Sequence, residues 1–152
     1  MDGIRLYQAD ALDTGFEPFV SALAEEIVRN SNKTVDRNFL VIREFPVRAI
    51  GVVSARRAAD VAIIEVIQRR GRERRVVLII ECKVDNRDTR MALAQLTGYM
   101  RDTGCEHGIA MSANIALLYR DTGNMLADQV GEEIDLSSDE GVRDVINFIN
   151  LI

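Results

Sequence analysis

The stretch RRVVLIIECKVDN, residues 74–86, decides how the rest of the chain is read. Five branched apolar residues in a row, Val76 to Ile80, suit a strand buried on both faces of its sheet. Glu81 and Lys83 follow at alternate positions. Side chains alternate along a strand, so these two face one way and Cys82 the other. A carboxylate and an ammonium are therefore expected side by side where the most buried strand ends.

Working outward, AADVAIIEVIQ (58–68) reads as the preceding strand. RRGRE lies between the two runs, and its Gly71 suits a tight reversal, so the strands are expected to pair as a hairpin. NFLVIREFPV (38–47) predicts a strand that Pro46 ends or places at an edge. DTGFEPFVSALAEEIVRN (13–30) predicts the first helix, capped by Asp13 or Thr14, with Phe16, Val20, Leu23 and Ile27 on its apolar face. A second helix is expected over 88–104, capped by Asp88 and stopped by Gly104. HGIAMS and IALLYRD read as two short strands, a hairpin through Ala113-Asn114. SSDEGVRDVINFINLI closes the chain as a capped amphipathic helix. The order is an α/β domain whose mixed sheet is covered on both faces, one domain over residues 1–152.

In a hairpin the start of the first strand lies beside the end of the second. Asp60 is thereby expected next to Glu81 and Lys83, although 20 residues lie between the two acids. Two carboxylates so placed repel as bare anions but suit a hard divalent cation such as Mg²⁺, and the Cys82 carbonyl offers a third oxygen. A nearby ammonium can orient or help deprotonate a water, or stabilise charge developing on phosphate. The plainer reading is a solvated strand end carrying a Glu81–Lys83 ion pair, worth about 0–1 kcal/mol.

Asp60, the spacer, then Glu81-Cys82-Lys83 resembles the PD-(D/E)XK nuclease superfamily, the restriction-endonuclease-like fold. The likeness extends to AQLTGYM, where Gln95 and Tyr99 match a glutamine and a tyrosine four residues apart in many members. GIAMSANIALLYRD is similar in layout to the strand pair of type I restriction subunit nuclease domains and of small phage and archaeal nucleases. The resemblance implies a three-layer α/β/α domain with a central mixed sheet, in which a helix precedes a three-stranded meander followed by a helix and a further strand. It implies Mg²⁺ or Mn²⁺ on Asp60 and Glu81, Lys83 serving the attacking water, and Gln95 supporting the site or the phosphate. Glu26 is the candidate for the further acid that many members carry on the first helix; Glu25 lies opposite. Ala59 stands where the namesake proline would be. The implied activity is endonucleolytic hydrolysis of nucleic acid, DNA first, with a homodimer as the expected assembly. A nucleic-acid-binding or assembly module on the same fold, without turnover, is the alternative.

The net charge of −5 argues against a polybasic binder that works by neutralising phosphate. Arg56, Arg57, Arg87 and Arg90 flank the expected site and are the candidates for phosphate contacts; Tyr99 could stack on a base or pack on Gln95. The arginine-rich tip QRRGRERR is expected on the order of 25 Å from the acids, as a solvated hairpin end or a remote phosphate contact. His107, the single histidine, is read as structural rather than as a base. Neither Cys82 nor Cys105 fits a metal-ligand spacing, no apolar run reaches the roughly 18 residues of a membrane span, and no signal core opens the chain, so a cytoplasmic setting is expected.

Overall fold

Among the described residues, the long apolar runs form the middle of one mixed, seven-stranded sheet. The computed structural model describes residues 2–46, 58–69 and 71–152. Strands β1 (Phe39–Pro46), β2 (Ala58–Arg69) and β3 (Gly71–Cys82) form an antiparallel meander. β4 (His107–Met111) then pairs with β3 in parallel, and β5 (Ile115–Arg120) returns antiparallel to β4. Two-residue strands β6 (Asp128–Gln129) and β7 (Ile134–Asp135) both pair with β5. A parallel pair cannot be joined by a tight turn. The crossover here is α3 (Asn86–Arg90) and α4 (Leu93–Thr103), which brings the carboxyl ends of β3 and β4 to the same edge.

Val76 to Ile80 are buried on both faces, as five branched residues in a row require. On one face Leu78, Ile80 and Cys82 pack with Ile4 of α1 (Asp2–Thr14), Leu23 and Ile27 of α2 (Glu17–Arg29), and Val142 and Ile149 of α5 (Asp139–Asn150). On the other face Ile79 packs with Leu96, Tyr99 and Met100 of α4. An irregularity between Ile63 and Ile64 sets Leu78 and Val76 opposite them, so Val77 is the extra residue of the pair.

Several local expectations change. The first helix is preceded by another, α1, that the sequence pattern does not announce, and α2 starts at Glu17 with Phe16 in the capping position. Val20, Leu23 and Ile27 are buried as their spacing predicts, but Phe16 is 65% exposed. The segment expected as one helix over 88–104 is two. Asp85, not Asp88, caps the first by accepting from the Asp88 N–H at 2.7 Å, and Gly104 ends the second at a φ of 68°.

β1 stands at one end of the strand order among the described residues, with Arg43 opposite Val61 and Phe45 opposite Ala59. Glu44 stands between them, across from Asp60, and its φ of 51° takes it out of the ladder. A left-handed conformation costs a side-chain-bearing residue about 1–2 kcal/mol that glycine avoids. Allowing for the freedom glycine loses on folding, Glu44→Gly is expected to stabilise the protein by about 0.5–1 kcal/mol. Thermal melting should read this as a rise of about 1–4 °C.

Candidate active site

The candidate site forms where β2 and β3 part. The ladder between them ends at Val61 opposite Ile80. Beyond it the Asp60 side chain enters the gap: its Oδ2 accepts from the Cys82 backbone N–H at 2.7 Å. Glu81 answers in the other direction, its Oε1 accepting from the Asp60 N–H at 3.3 Å. In an extended strand a residue's N–H and C=O point to the same side, so the Cys82 carbonyl faces the gap that Asp60 occupies. Two carboxylates and one carbonyl thereby converge on the edge of the sheet that the crossover brings forward.

Glu81 is 2% exposed. Burial and the neighbouring Asp60 push its carboxyl up to about 8, against a smaller pull from Lys83. A buried carboxylate of this kind requires a proton or a cation to neutralise it. Lys83 does not do so by contact. Among the described residues no ion pair within 4.0 Å includes Asp60, Glu81 or Lys83. The Glu81–Lys83 surface pair of the plainer sequence reading is therefore not formed.

Lys83 turns instead to α4. Its Nζ donates to Gln95 Oε1 at 3.0 Å, and Gln95 Nε2 lies 3.2 Å from the Tyr99 hydroxyl. The relay sets the amide orientation, with oxygen toward the ammonium and nitrogen toward the phenol. Gln95 and Tyr99 are four residues apart on one helix, which puts them on one face. Tyr99 is 5% exposed, so its ring has no face for a base, and the stacking role considered from sequence does not fit.

The helical acid beside these groups is Glu17. Burial, and next the nearby Asp60 carboxylate, raise its pKa from the ordinary value. One turn on, α2 packs Val20 and Leu23 with Val61 of β2 and Ile80 and Cys82 of β3, so its first turns dock on the ends of those strands. Glu26 is elsewhere. It lies nine residues further along α2, about 13 Å at the helical rise, and is engaged by Arg29 at 3.4 Å; Glu25 takes the same arginine at 2.8 Å. Glu26, the helical acid expected from sequence, is thus not the one near Asp60; Glu17 is, in the first turn, where acids are common merely because the helix dipole favours them.

The flanking arginines divide. Arg90 is held by Glu133 through two hydrogen bonds, of 2.7 and 2.9 Å, which takes its fork out of use for phosphate. Arg87 is exposed on α3, and Arg56 and Arg57 lie outside the described residues. Arg43, not expected from sequence, donates to the Pro18 carbonyl at 2.9 Å and so sits over the first turn of α2. At the remote hairpin end Arg75 pairs with Glu65. His107 meets Phe148 edge to face at 5.9 Å, a packing contact, and burial lowers its pKa.

Whether these residues suit a cation turns on their donors. Mg²⁺ takes oxygen ligands and is commonly held by one or two carboxylates, with the rest supplied by water and substrate phosphate. Asp60, Glu81 and the Cys82 carbonyl meet that requirement, and the uncompensated burial of Glu81 favours it. Among the described residues no cluster of three or more His, Cys, Asp or Glu side chains is arranged as a self-sufficient metal cage. Nor is any described helix long and apolar enough to cross a membrane. Comparison with family models, with curated proteins and with solved structures found no match to this chain, so what the site does has to be argued from its own atoms.

Proposed function

We propose that this chain has the restriction-endonuclease-like fold and hydrolyses phosphodiester bonds of nucleic acid, DNA first, with Mg²⁺ or Mn²⁺. The observation that carries the reading is the pairing of a buried Glu81 and a half-buried Asp60 with a lysine that bonds to Gln95 rather than to those carboxylates. The order of α2, the β1–β2–β3 meander, the crossover helices and a parallel β4 supports the fold assignment, because it is the order the sequence resemblance implies.

In this reading Asp60, Glu81 and the Cys82 carbonyl hold the cation. Bound there, it would supply Lewis acidity toward a phosphate oxygen and toward water. Lys83 has three donors and gives one to Gln95, which leaves two for a water or a phosphate oxygen. It orients the water, whose oxygen attacks phosphorus as one P–O ester bond breaks and the leaving oxygen gains a proton. Gln95 and Tyr99 fix where the ammonium points. The Cys82 N–H sets the orientation of the Asp60 carboxylate, and Glu17 adds negative charge near it. Cutting both strands of a duplex calls for two such sites, and a homodimer would provide them.

The test is direct. Purified protein should cut plasmid or oligonucleotide DNA in millimolar Mg²⁺ or Mn²⁺ and leave it whole in EDTA. DNA that is retained but stays intact in both would instead favour a binding or assembly module on the same fold, a reading the incomplete side-chain cage also accommodates.

A further inference from the structure

Phe16 breaks two local rules at once. It occupies the capping position of α2 with extended backbone and no side-chain cap, where Ser, Thr, Asp or Asn would satisfy a helix N–H. It is also 65% exposed, although its place in the apolar spacing of the helix predicts burial. Its own N–H reaches back to Thr14 Oγ1 at 3.5 Å. The next residues, Glu17 and Pro18, belong to the turn that Arg43 reaches from β1, where Arg43 stands opposite Val61, the neighbour of Asp60. An exposed aromatic residue therefore precedes the turn of α2 that packs beside the ends of β1 and β2. Arg43 lies on the carbonyl of Pro18, so the same helical turn carries a ring and a guanidinium.

We propose that Phe16 stacks on an unpaired nucleobase beside the scissile phosphate, with Arg43 on a neighbouring phosphate, which makes single-stranded nucleic acid, free or as a flap, the substrate class. The inference rests on the hydrolase reading above and deepens it. A base inside a duplex keeps both faces in its stack and offers none to a protruding ring, whereas an unpaired base offers a face whatever its sequence. The acids of the site repel a phosphate chain, and cations such as Arg43 and Lys83 complement it.

The test measures binding by fluorescence anisotropy, with a labelled oligothymidylate and a blunt duplex of equal length. It uses Ca²⁺ and a Lys83→Ala background so that strands stay whole. Phe16→Ala is expected to weaken the oligothymidylate roughly 5- to 150-fold and the duplex less than about twofold. Phe16→Leu, which keeps apolar volume without a π face, should lose as much, and Phe16→Tyr should bind as the parent does. Melting temperatures should not separate the variants, since the ring is exposed. Unchanged oligothymidylate affinity in both Phe16→Ala and Phe16→Leu would overturn the proposal, as would equal losses for single strand and duplex. Loss of self-association in sedimentation, with oligothymidylate affinity kept, would assign the ring to a second copy and also overturn it. A parent that binds neither nucleic acid would remove the hydrolase reading itself.

Discussion

Replacing Lys83 with alanine is expected to lower Mg²⁺-dependent cleavage by about 10²- to 10⁴-fold, the range for removing a positioned proton-handling or water-orienting group. The effect should fall on the single-turnover rate and leave substrate affinity nearly unchanged, because the ammonium acts on the reacting water or phosphate rather than on the body of the strand. Its stem is half-buried and its head is anchored to Gln95 at 3.0 Å, so the alanine protein needs a circular dichroism spectrum and a melting curve alongside the kinetics. Arginine should not rescue the rate. Its flat fork is longer than an ammonium and cannot take the same single bond to Gln95 while still reaching the gap between β2 and β3. Cleavage at the parent rate by the alanine protein would assign the activity to a contaminant and remove Lys83 from the mechanism.

The groups that make this experiment worth doing were legible for a specific reason. Strand alternation fixes the face of Glu81 and Lys83, and hairpin geometry fixes which end of β2 meets them; neither depends on distant contacts. Gln95 and Tyr99 were legible from the resemblance. Glu17 was not. Its position depends on how α2 docks on the sheet, and helical periodicity says which residues turn inward but not which strand end they meet. In the first turn of a helix it also reads as an ordinary dipole-favoured acid. Much the same holds for α1. Its sequence DGIRLYQADALDT carries a weak apolar stripe, and what ties it down is remote: Arg5 donates to the Leu136 carbonyl at 2.7 Å, and Gln8 to the Ala113 and Leu136 carbonyls at 2.7 and 3.0 Å. β6 and β7, two residues each, exist only as partners of β5. Phe16 failed in the opposite sense. Its spacing was right and its burial was not, because it lies just outside the helix whose face it was assigned to.

Raising the pH is expected to destabilise the cation-free protein across a range where most proteins change little. Glu81 ionises near 4.5 in the unfolded chain but near 8 in the fold, so the folded state holds the extra proton between these values. Its stabilising contribution is full below pH 4.5, declines as pH rises and levels off above about pH 8; the total is on the order of 5 kcal/mol. Glu17 shifts in the same direction, whereas His107, lowered by burial, acts the opposite way as pH falls through its ordinary range. Comparison with Glu81→Gln isolates the one group. The amide oxygen can still accept from the Asp60 N–H, but nothing remains to ionise. Glu81→Gln should therefore melt above the parent at about pH 8.5 and lose most of the slope. Millimolar Mg²⁺ should restore the parent, since a hard cation neutralises the two acids as the proton does, and its effect should be larger at about pH 8.5 than at about pH 6. In Glu81→Gln the same Mg²⁺ should raise the melting temperature little. An equal rise in both proteins would move the cation to other residues, and a flat pH profile in the parent would mean that Glu81 ionises as an ordinary surface acid.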